Sequence, residues 1–245
     1  MNAYGMTDTG LLRRNNEDSF FVSSGPVGIF DALMIVADGM GGHMLGEVAS
    51  GTAVETVLKV LSEAPMDNPP YLLENAVSLA NLQVRKVSEE KRSYNMGTTL
   101  VICAVINGRA YVANVGDSRL YLLDSKAFTM RQITKDHSYV EEQVEKGLMV
   151  RGSAEYESHK NIITRAVGIY SEVEADLFDF ELEKEHLILM CTDGLTNMIS
   201  DKVIKNLALD DSFDIQRRVE SMVNLANNNG GKDNITVVLF SAEEN

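Results

Sequence analysis

Three short runs constrain the fold more than anything else in this chain. Residues 33–37, His186–Cys191 and residues 235–240 are mostly continuous apolar stretches, not alternating ones. Runs of this length suit strands, and a strand without a polar side must be covered on both faces. Sheet packed on sheet, with helices outside both, meets that demand. The expected fold class is therefore α+β. It is a four-layer αββα sandwich, with two mainly antiparallel sheets face to face and flanked by helices.

The remaining pattern supplies those layers. Val54, Val57, Leu58 and Leu61 recur at helical spacing within residues 46–62. Leu73, Ala76, Val77, Ala80, Val84 and Val87 do the same within residues 71–91. Pro65, Pro69 and Pro70 fall between the two and read as their connection. Residues 98–106 and 109–115 are apolar and β-branched, and Asn107-Gly108 between them signals a hairpin. Gly116-Asp117-Ser118 makes the next break before a strand over 119–123, so these strands are expected to continue as one antiparallel meander. Helices are expected over 139–146, 201–209 and 213–228, with further strands over 175–180 and 186–191. Residues 147–160 are polar without a clear period and read as a mobile surface segment.

Composition narrows the function. The chain has 245 residues, 44% hydrophobic and 24% charged, which is ordinary for a globular domain. We expect one domain over 1–245 and a monomer. The formal charge of −14 argues against a nucleic-acid or anionic-membrane partner. Two cysteines, Cys103 and Cys191, cannot make a disulfide framework. Cys191 lies in an apolar run and reads as a core residue. No apolar run approaches the roughly 20 residues of a membrane span, and residues 1–14 hold no apolar signal core. A cytoplasmic location is expected. The glycine-rich loop after residue 38 matches neither GxGxxG nor GxxxxGK[ST], which argues against a nucleotide cradle.

The chemistry concentrates in aspartates. Residues 33–37 run into Asp38-Gly39, residues 187–192 run into Asp193-Gly194, and Asp233-Asn234 precedes Ile235. Asp117 lies in the break between two strands. One Asp-Gly after a strand is ordinarily just a turn. Four such sites, three of them abutting the most apolar strands, suggest carboxylates converging near a core. Ionised groups there are costly without partners. Hard divalent cations, which prefer oxygen ligands, would solve that problem. Arg13-Arg14-Asn15-Asn16-Glu17-Asp18 forms a second constellation. It reads equally as an exposed salt-bridged turn or as an arginine for a phosphate beside carboxylates.

These motifs, in order, resemble a family. Arg13…Asn16-Glu17-Asp18, Asp38-Gly39-Met40-Gly41-Gly42, Gly97-Thr98-Thr99, Val115-Gly116-Asp117-Ser118-Arg119, Asp136-His137-Ser138, Thr164-Arg165-Ala166, Thr192-Asp193-Gly194 and Gly231-Lys232-Asp233-Asn234-Ile235-Thr236 span nearly the whole chain. The set is similar to that of metal-dependent protein serine/threonine phosphatases of the PPM (PP2C) family, bacterial stand-alone type. The resemblance implies two core Mn²⁺ or Mg²⁺ ions at one end of a β-sandwich. Asp38 would bridge them, the Gly39 carbonyl would bind one, and Asp193 and Asp233 would complete the other. Glu17 and Asp18 would act largely through water on the metals. Asp117, with Asp193, would hold a third, weaker ion, and Arg13 would hold the substrate phosphate. It implies phosphorylated proteins and a cognate Hanks-type serine/threonine kinase as partners. A variable flap at about 145–161 would tune substrate choice. Met40 stands where many eukaryotic relatives carry a histidine, and His43 lies nearby, so no general acid is assigned. A catalytically silent binding module and a dedicated phosphatase of a switch protein are the rival readings. His137 is expected to fix a loop, His159 and His186 to be surface or strand-end residues, and Met149 to be the methionine worth watching for an adaptable surface.

Overall fold

The structure, a computed structural model, describes residues 1–41, 45–65, 68–93 and 95–242. The elements run β1 (Asn2–Asp8), β2 (Asp18–Ser23), β3 (Ala32–Met40), α1 (Leu45–Ser62), α2 (Pro69–Glu90), β4 (Gly97–Thr98), β5 (Leu100–Ile106), β6 (Arg109–Val115), β7 (Arg119–Asp124) and β8 (Thr129–Gln132). They continue with α3 (Tyr139–Glu145), α4 (Ala154–His159), β9 (Asp176–Glu181), β10 (His186–Cys191), α5 (Asp193–Thr196), α6 (Asp201–Ala208), α7 (Ile215–Asn228) and β11 (Ile235–Ser241). One sheet has the order β1-β11-β10-β7-β8, the other β2-β3-β5-β6-β9, with β4 paired to β3. The pairings within both sheets are antiparallel.

Three apolar layers hold the sandwich together, and the continuous runs explain why. Successive side chains on a strand point to opposite faces. Leu33, Ile35 and Ala37 of β3 pack with α1 and α2 through Ala53, Val57, Leu61, Leu73 and Ala80. Met34 and Val36 face inward, against Ile188, Met190, Val238 and Phe240 of the second sheet. Leu187, Leu189, Cys191, Val237 and Leu239 point out to α5, α6 and α7 through Leu195, Ile204, Val219 and Val223. The four-layer αββα expectation is met.

Several local expectations differ from what the chain does. The expected meander breaks after β6: β7 pairs with β10 in the other sheet and not with β6. Gly116-Asp117-Ser118 is thus a crossing between sheets. Gly116 has φ +106, and a Cβ there would stand 2.6 Å from Thr99 Cγ2, so the crossing needs glycine. Asp38-Gly39 is no turn, because β3 runs on to Met40. Pro69 and Pro70 open α2, where a missing N–H leaves no bond unmade. β1 and β8 lack an apolar pattern. β1 carries Gly5 at its centre because a Cβ would meet the Phe20 ring of β2 at 2.5 Å.

Gly116→Ala is expected to cost about 1–3 kcal/mol, from left-handed strain plus the clash with Thr99. Urea unfolding of the two proteins checks it; equal midpoints would contradict the crossing's dependence on glycine.

Candidate active site

The antiparallel order brings five aspartates to one end of the sandwich. Asp18 opens β2 and lies directly opposite Asp38 near the end of β3. Asp193 follows β10 and starts α5, Asp233 lies just before β11, and Asp117 sits in the crossing between β6 and β7. The first two belong to one sheet, Asp193 and Asp233 flank strands of the other, and Asp117 links the two. Like charges directly opposite across a strand pair are destabilising, so this is not an arrangement chosen for stability.

Their surroundings push the protons on. Burial raises the Asp38 carboxyl well above the ordinary range, and the neighbouring Asp18, Asp193, Asp117 and Asp233 carboxylates raise it further. Burial lifts Asp18 to about 7, with Asp193 and Asp233 adding to the shift and hydrogen bonds from Thr236 and Thr192 opposing it. Asp117 rises to about 8 through burial, then through Asp193 and Asp136. Asp193 rises to about 6 through burial and Asp233, against an opposing bond from Asn197. Glu17 is raised by burial, while the Gly46 amide at the start of α1 and the charge of Arg13 pull it down.

Neighbouring groups hold the Asp18 and Asp193 carboxylates and the Asp38 backbone. Asn16 Nδ2 donates to Thr7 Oγ1 (2.8 Å), Thr7 and Thr236 hydroxyls meet at 2.7 Å, and Thr236 Oγ1 donates to Asp18 Oδ2 at 2.6 Å. Thr192 Oγ1 donates to the same oxygen at 3.0 Å and accepts from the Thr236 amide. Because Thr236 gives its only proton to Asp18, Thr7 must donate to Thr236. The backbone of Asp38 is clamped by the Gly97-Thr98-Thr99 segment. Its amide donates to Thr99 Oγ1 (2.8 Å), and its carbonyl accepts from Thr98 Oγ1 (2.8 Å) and the Thr99 amide. Asn197 Nδ2 donates to Asp193 Oδ2 at 2.9 Å. A Cβ on Gly39 would lie 2.1 Å from the Gly46 carbonyl oxygen and 2.4 Å from that of Glu17, so glycine is required for this approach. These threonine and asparagine roles were not read from the sequence, although Thr98, Thr99, Thr192 and Thr236 lie inside the motifs.

The donors suit a hard divalent cation. Asp18 Oδ1 and Asp193 Oδ1 are buried with no hydrogen-bond partner, and unsatisfied buried carboxylate oxygens are rare without a compensating charge. The donors are all oxygen, as Mg²⁺ and Mn²⁺ prefer. Among the described residues no group of three or more His, Cys, Asp or Glu side chains stands in position to hold a metal ion.

Arg13 stands at the rim. Its Nη2 donates to Asp233 Oδ2 at 2.7 Å, with half of its side chain exposed. Both open readings of its segment thus find support: the turn is salt-bridged, and the guanidinium also borders the aspartates. His137 fixes the crossing, as expected. Its Nδ1 accepts from the Gly116 amide (3.0 Å), its own amide donates to the Gly116 carbonyl, and its Nε2 faces Asp176 (3.3 Å) and Arg165. His43 lies outside the described residues.

Segment 147–160 is not featureless. It contains α4, capped by Ser153 Oγ accepting from the Tyr156 amide. Tyr156 O–H donates to Glu141 of α3 at 2.6 Å, and Arg151 pairs with the same carboxylate. Tyr156, Glu157, Lys160 and Asn161 wall a cleft whose other side holds Asp117 and Asp193. Met149 is buried; Leu148 and Val150 are the exposed apolar residues there. Short range and even polarity hid α4 from periodicity.

Residues 13–239 match the protein phosphatase 2C family model. The chain is 36% identical over 253 residues to the serine/threonine phosphatase stp of Listeria welshimeri, covering 98% of this chain and 95% of that one. It is 35% identical to the protein phosphatase PhpP of Streptococcus pneumoniae, covering 98% and 96%. The crystal structure of the Mycobacterium tuberculosis serine/threonine phosphatase PstP/Ppp superposes with a TM-score of 0.89 at 32% identity, over 99% of both chains. The catalytic domain of PstP in complex with two manganese ions gives a TM-score of 0.83 at 32% identity, over 97% of this chain and 96% of that one.

The buried carboxyls also make stability depend on pH. Each holds its proton more tightly folded than unfolded, so the stabilising excess is complete below the unfolded value of 3.8. It is lost as pH rises through about 6 for Asp193, 7 for Asp18 and 8 for Asp117. With chelator present, the melting temperature is expected to fall between about pH 4 and pH 8, and Mn²⁺ is expected to restore it at the upper end. A melting temperature indifferent to both pH and cation would contradict the buried-carboxylate account.

Proposed function

Because this chain belongs to the protein phosphatase 2C family of serine/threonine phosphatases, we propose that its aspartate cluster is a Mn²⁺/Mg²⁺ centre that hydrolyses phosphoserine and phosphothreonine in proteins. The observation that carries the reading is the meeting of Asp18, Asp38, Asp117, Asp193 and Asp233 at one end of the sandwich, with Arg13 at its rim. Asp38, the Gly39 carbonyl, Asp193 and Asp233 would hold two ions. Asp117 and Asp193 would hold a third more weakly, and Glu17 and Asp18 would orient water. Such ions, when bound, lower the pKa of water and offset charge on phosphoryl oxygens.

The chain's own residues supply the rest. The Arg13 guanidinium has two parallel N–H donors for the phosphate, and its exposed pair with Asp233 is weak enough for a phosphate to displace. The Thr98–Thr99 clamp holds Asp38 in place, which limits reorganisation during the reaction. No cysteine nucleophile competes: Cys103 and Cys191 are buried, and burial pushes both thiols up. A water attack that needs no covalent intermediate agrees with that. The α4 wall would meet residues flanking the phosphorylated side chain, giving the flap its part in substrate choice. A Hanks-type kinase and its substrates are the partners this reading assigns, and the cytoplasm, where thiols stay reduced, is its compartment.

Hydrolysis of a phosphothreonine peptide with Mn²⁺ is expected to vanish with EDTA and in Asp38→Ala and Asp193→Ala. Arg13→Ala is expected to lose roughly 10²-fold in kcat/KM. A metal-independent activity, or a fully active Asp38→Ala, would refute the reading. For the flap, Glu157→Ala and Lys160→Ala are expected to reorder kcat/KM among several phosphopeptides by roughly threefold or more, the scale of a single rim contact, with Mn²⁺ affinity unchanged. Identical peptide ranking would remove the flap from substrate choice.

A further inference from the structure

Asn234 is a buried polar group of the site that the phosphatase reading leaves without a task. It is 5% exposed and directly follows Asp233, whose Oδ1 accepts from its amide at 2.9 Å. Its side chain reaches three points on one segment. Nδ2 donates to the carbonyls of Thr9 and Asn15, both at 2.9 Å, and Oδ1 accepts from the Glu17 amide at 2.8 Å. The partners fix the amide's orientation, because two carbonyls require donors and an N–H requires an acceptor.

Those three points bracket Arg13. Without Asn234, the arm over residues 9–17 would keep two bonds from the amides of Leu11 and Leu12 to the Gly231 carbonyl (2.7 and 3.2 Å), the bonds from Gly39 N (3.1 Å) and Ser50 Oγ (2.6 Å) to the Glu17 carbonyl, and those from Gly10 N to Asp8 Oδ1 and from Asn16 Nδ2 to Thr7 Oγ1 (both 2.8 Å). It is pressed against the Asp233 segment: Gly10 has φ +76, and a Cβ there would lie 2.2 Å from the Asp233 carbonyl oxygen. Arg13 itself is half exposed, and the ion pair with Asp233 ties it to the cluster. An exposed pair of that kind fixes a long side chain weakly, so the arm's backbone must set where the guanidinium stands.

We propose that Asn234 is a positioning residue that ties the Arg13 arm to the segment bearing Asp233. It thereby sets the distance between the phosphate-holding guanidinium and the carboxylate cluster. The inference rests on the reading of Arg13 as the phosphate-holding group. A planar amide is the side chain that offers two donors and one acceptor together at this length. Aspartate keeps the acceptor for Glu17 but loses both donors and sets a carboxylate against two carbonyls. Leucine loses all three bonds.

The test combines Asn234→Ala, Asn234→Asp and Arg13→Ala with two readouts on the metal-loaded protein. Backbone hydrogen exchange needs no activity. Asn234→Ala is expected to speed exchange at Leu11, Leu12 and Glu17, whereas Asn234→Asp should speed it at Leu11 and Leu12 while Glu17 stays protected. In kinetics with a phosphothreonine peptide, Asn234→Ala is expected to lower kcat/KM roughly ten- to hundredfold, as a misplacement on the ångström scale does. It should raise KM and weaken inhibition by inorganic phosphate in parallel. In the Arg13→Ala background the same change should add less than about twofold, because the two act through one group. Full additivity in that background, or unchanged exchange in the arm, would overturn the proposal. If Asn234→Ala does not fold, Asn234→Asp carries the test: exchange is expected to rise at Leu11 and Leu12 with Glu17 still protected, and its loss in kcat/KM should again shrink to less than about twofold in the Arg13→Ala background. If the wild type hydrolyses nothing, the phosphatase reading fails, and the exchange pattern alone then decides whether Asn234 holds the arm.

Discussion

Everything at the working end of this molecule depends on one electrostatic conflict. Five aspartates are brought together where two sheets meet, Asp18 and Asp117 buried and the other three partly so, which limits how well water screens them. Burial and mutual repulsion raise Asp18, Asp38, Asp117 and Asp193. A protein assembled for stability alone would not place Asp18 opposite Asp38 on paired strands. The conflict is resolved by positive charge, whether from protons or from cations, and a cation is what would leave Asp38 and Asp117 ionised near neutral pH.

The scaffold's task is to keep that conflict from dispersing. Carboxylates from both sheets converge because the sandwich core fixes the two sheets relative to each other through Met34, Val36, Ile188, Met190, Val238 and Phe240. Hydroxyls then fix the individual groups. Thr236 and Thr192 converge on Asp18, and Thr98 and Thr99 hold the backbone of Asp38. The crossing at Gly116-Asp117-Ser118 carries Asp117 between the sheets, with His137 bonded to both polar backbone atoms of Gly116. Arg13 sits on an arm fastened to the segment of Asp233, so the guanidinium and the carboxylate share one foundation.

Much of this was legible in the sequence, for physical reasons. Strands covered on both faces cannot alternate, so β3, β10 and β11 announced a layered sandwich. The aspartates abutting those runs announced the site. What was hidden depended on partners distant in the chain. β1 has no apolar pattern, and its Gly5 makes sense only once Phe20 packs across it. The crossing after β6 looked like one more hairpin turn, because nothing local tells a strand which sheet it will join. α4 is too short for periodicity and is held by Glu141 of another helix. The threonine and asparagine bonds that place the carboxylates span up to more than two hundred residues of sequence, as from Asp18 to Thr236, and no spacing rule reaches that far.

The most direct test of the central claim is calorimetric titration of the metal-free protein with Mn²⁺ near pH 7, in buffers of different ionisation enthalpy. If the cluster stores protons that a cation displaces, binding is accompanied by proton release, and Asp38→Ala loses both the binding and the protons. Mn²⁺ uptake without proton release, or undiminished uptake by Asp38→Ala, would contradict the account.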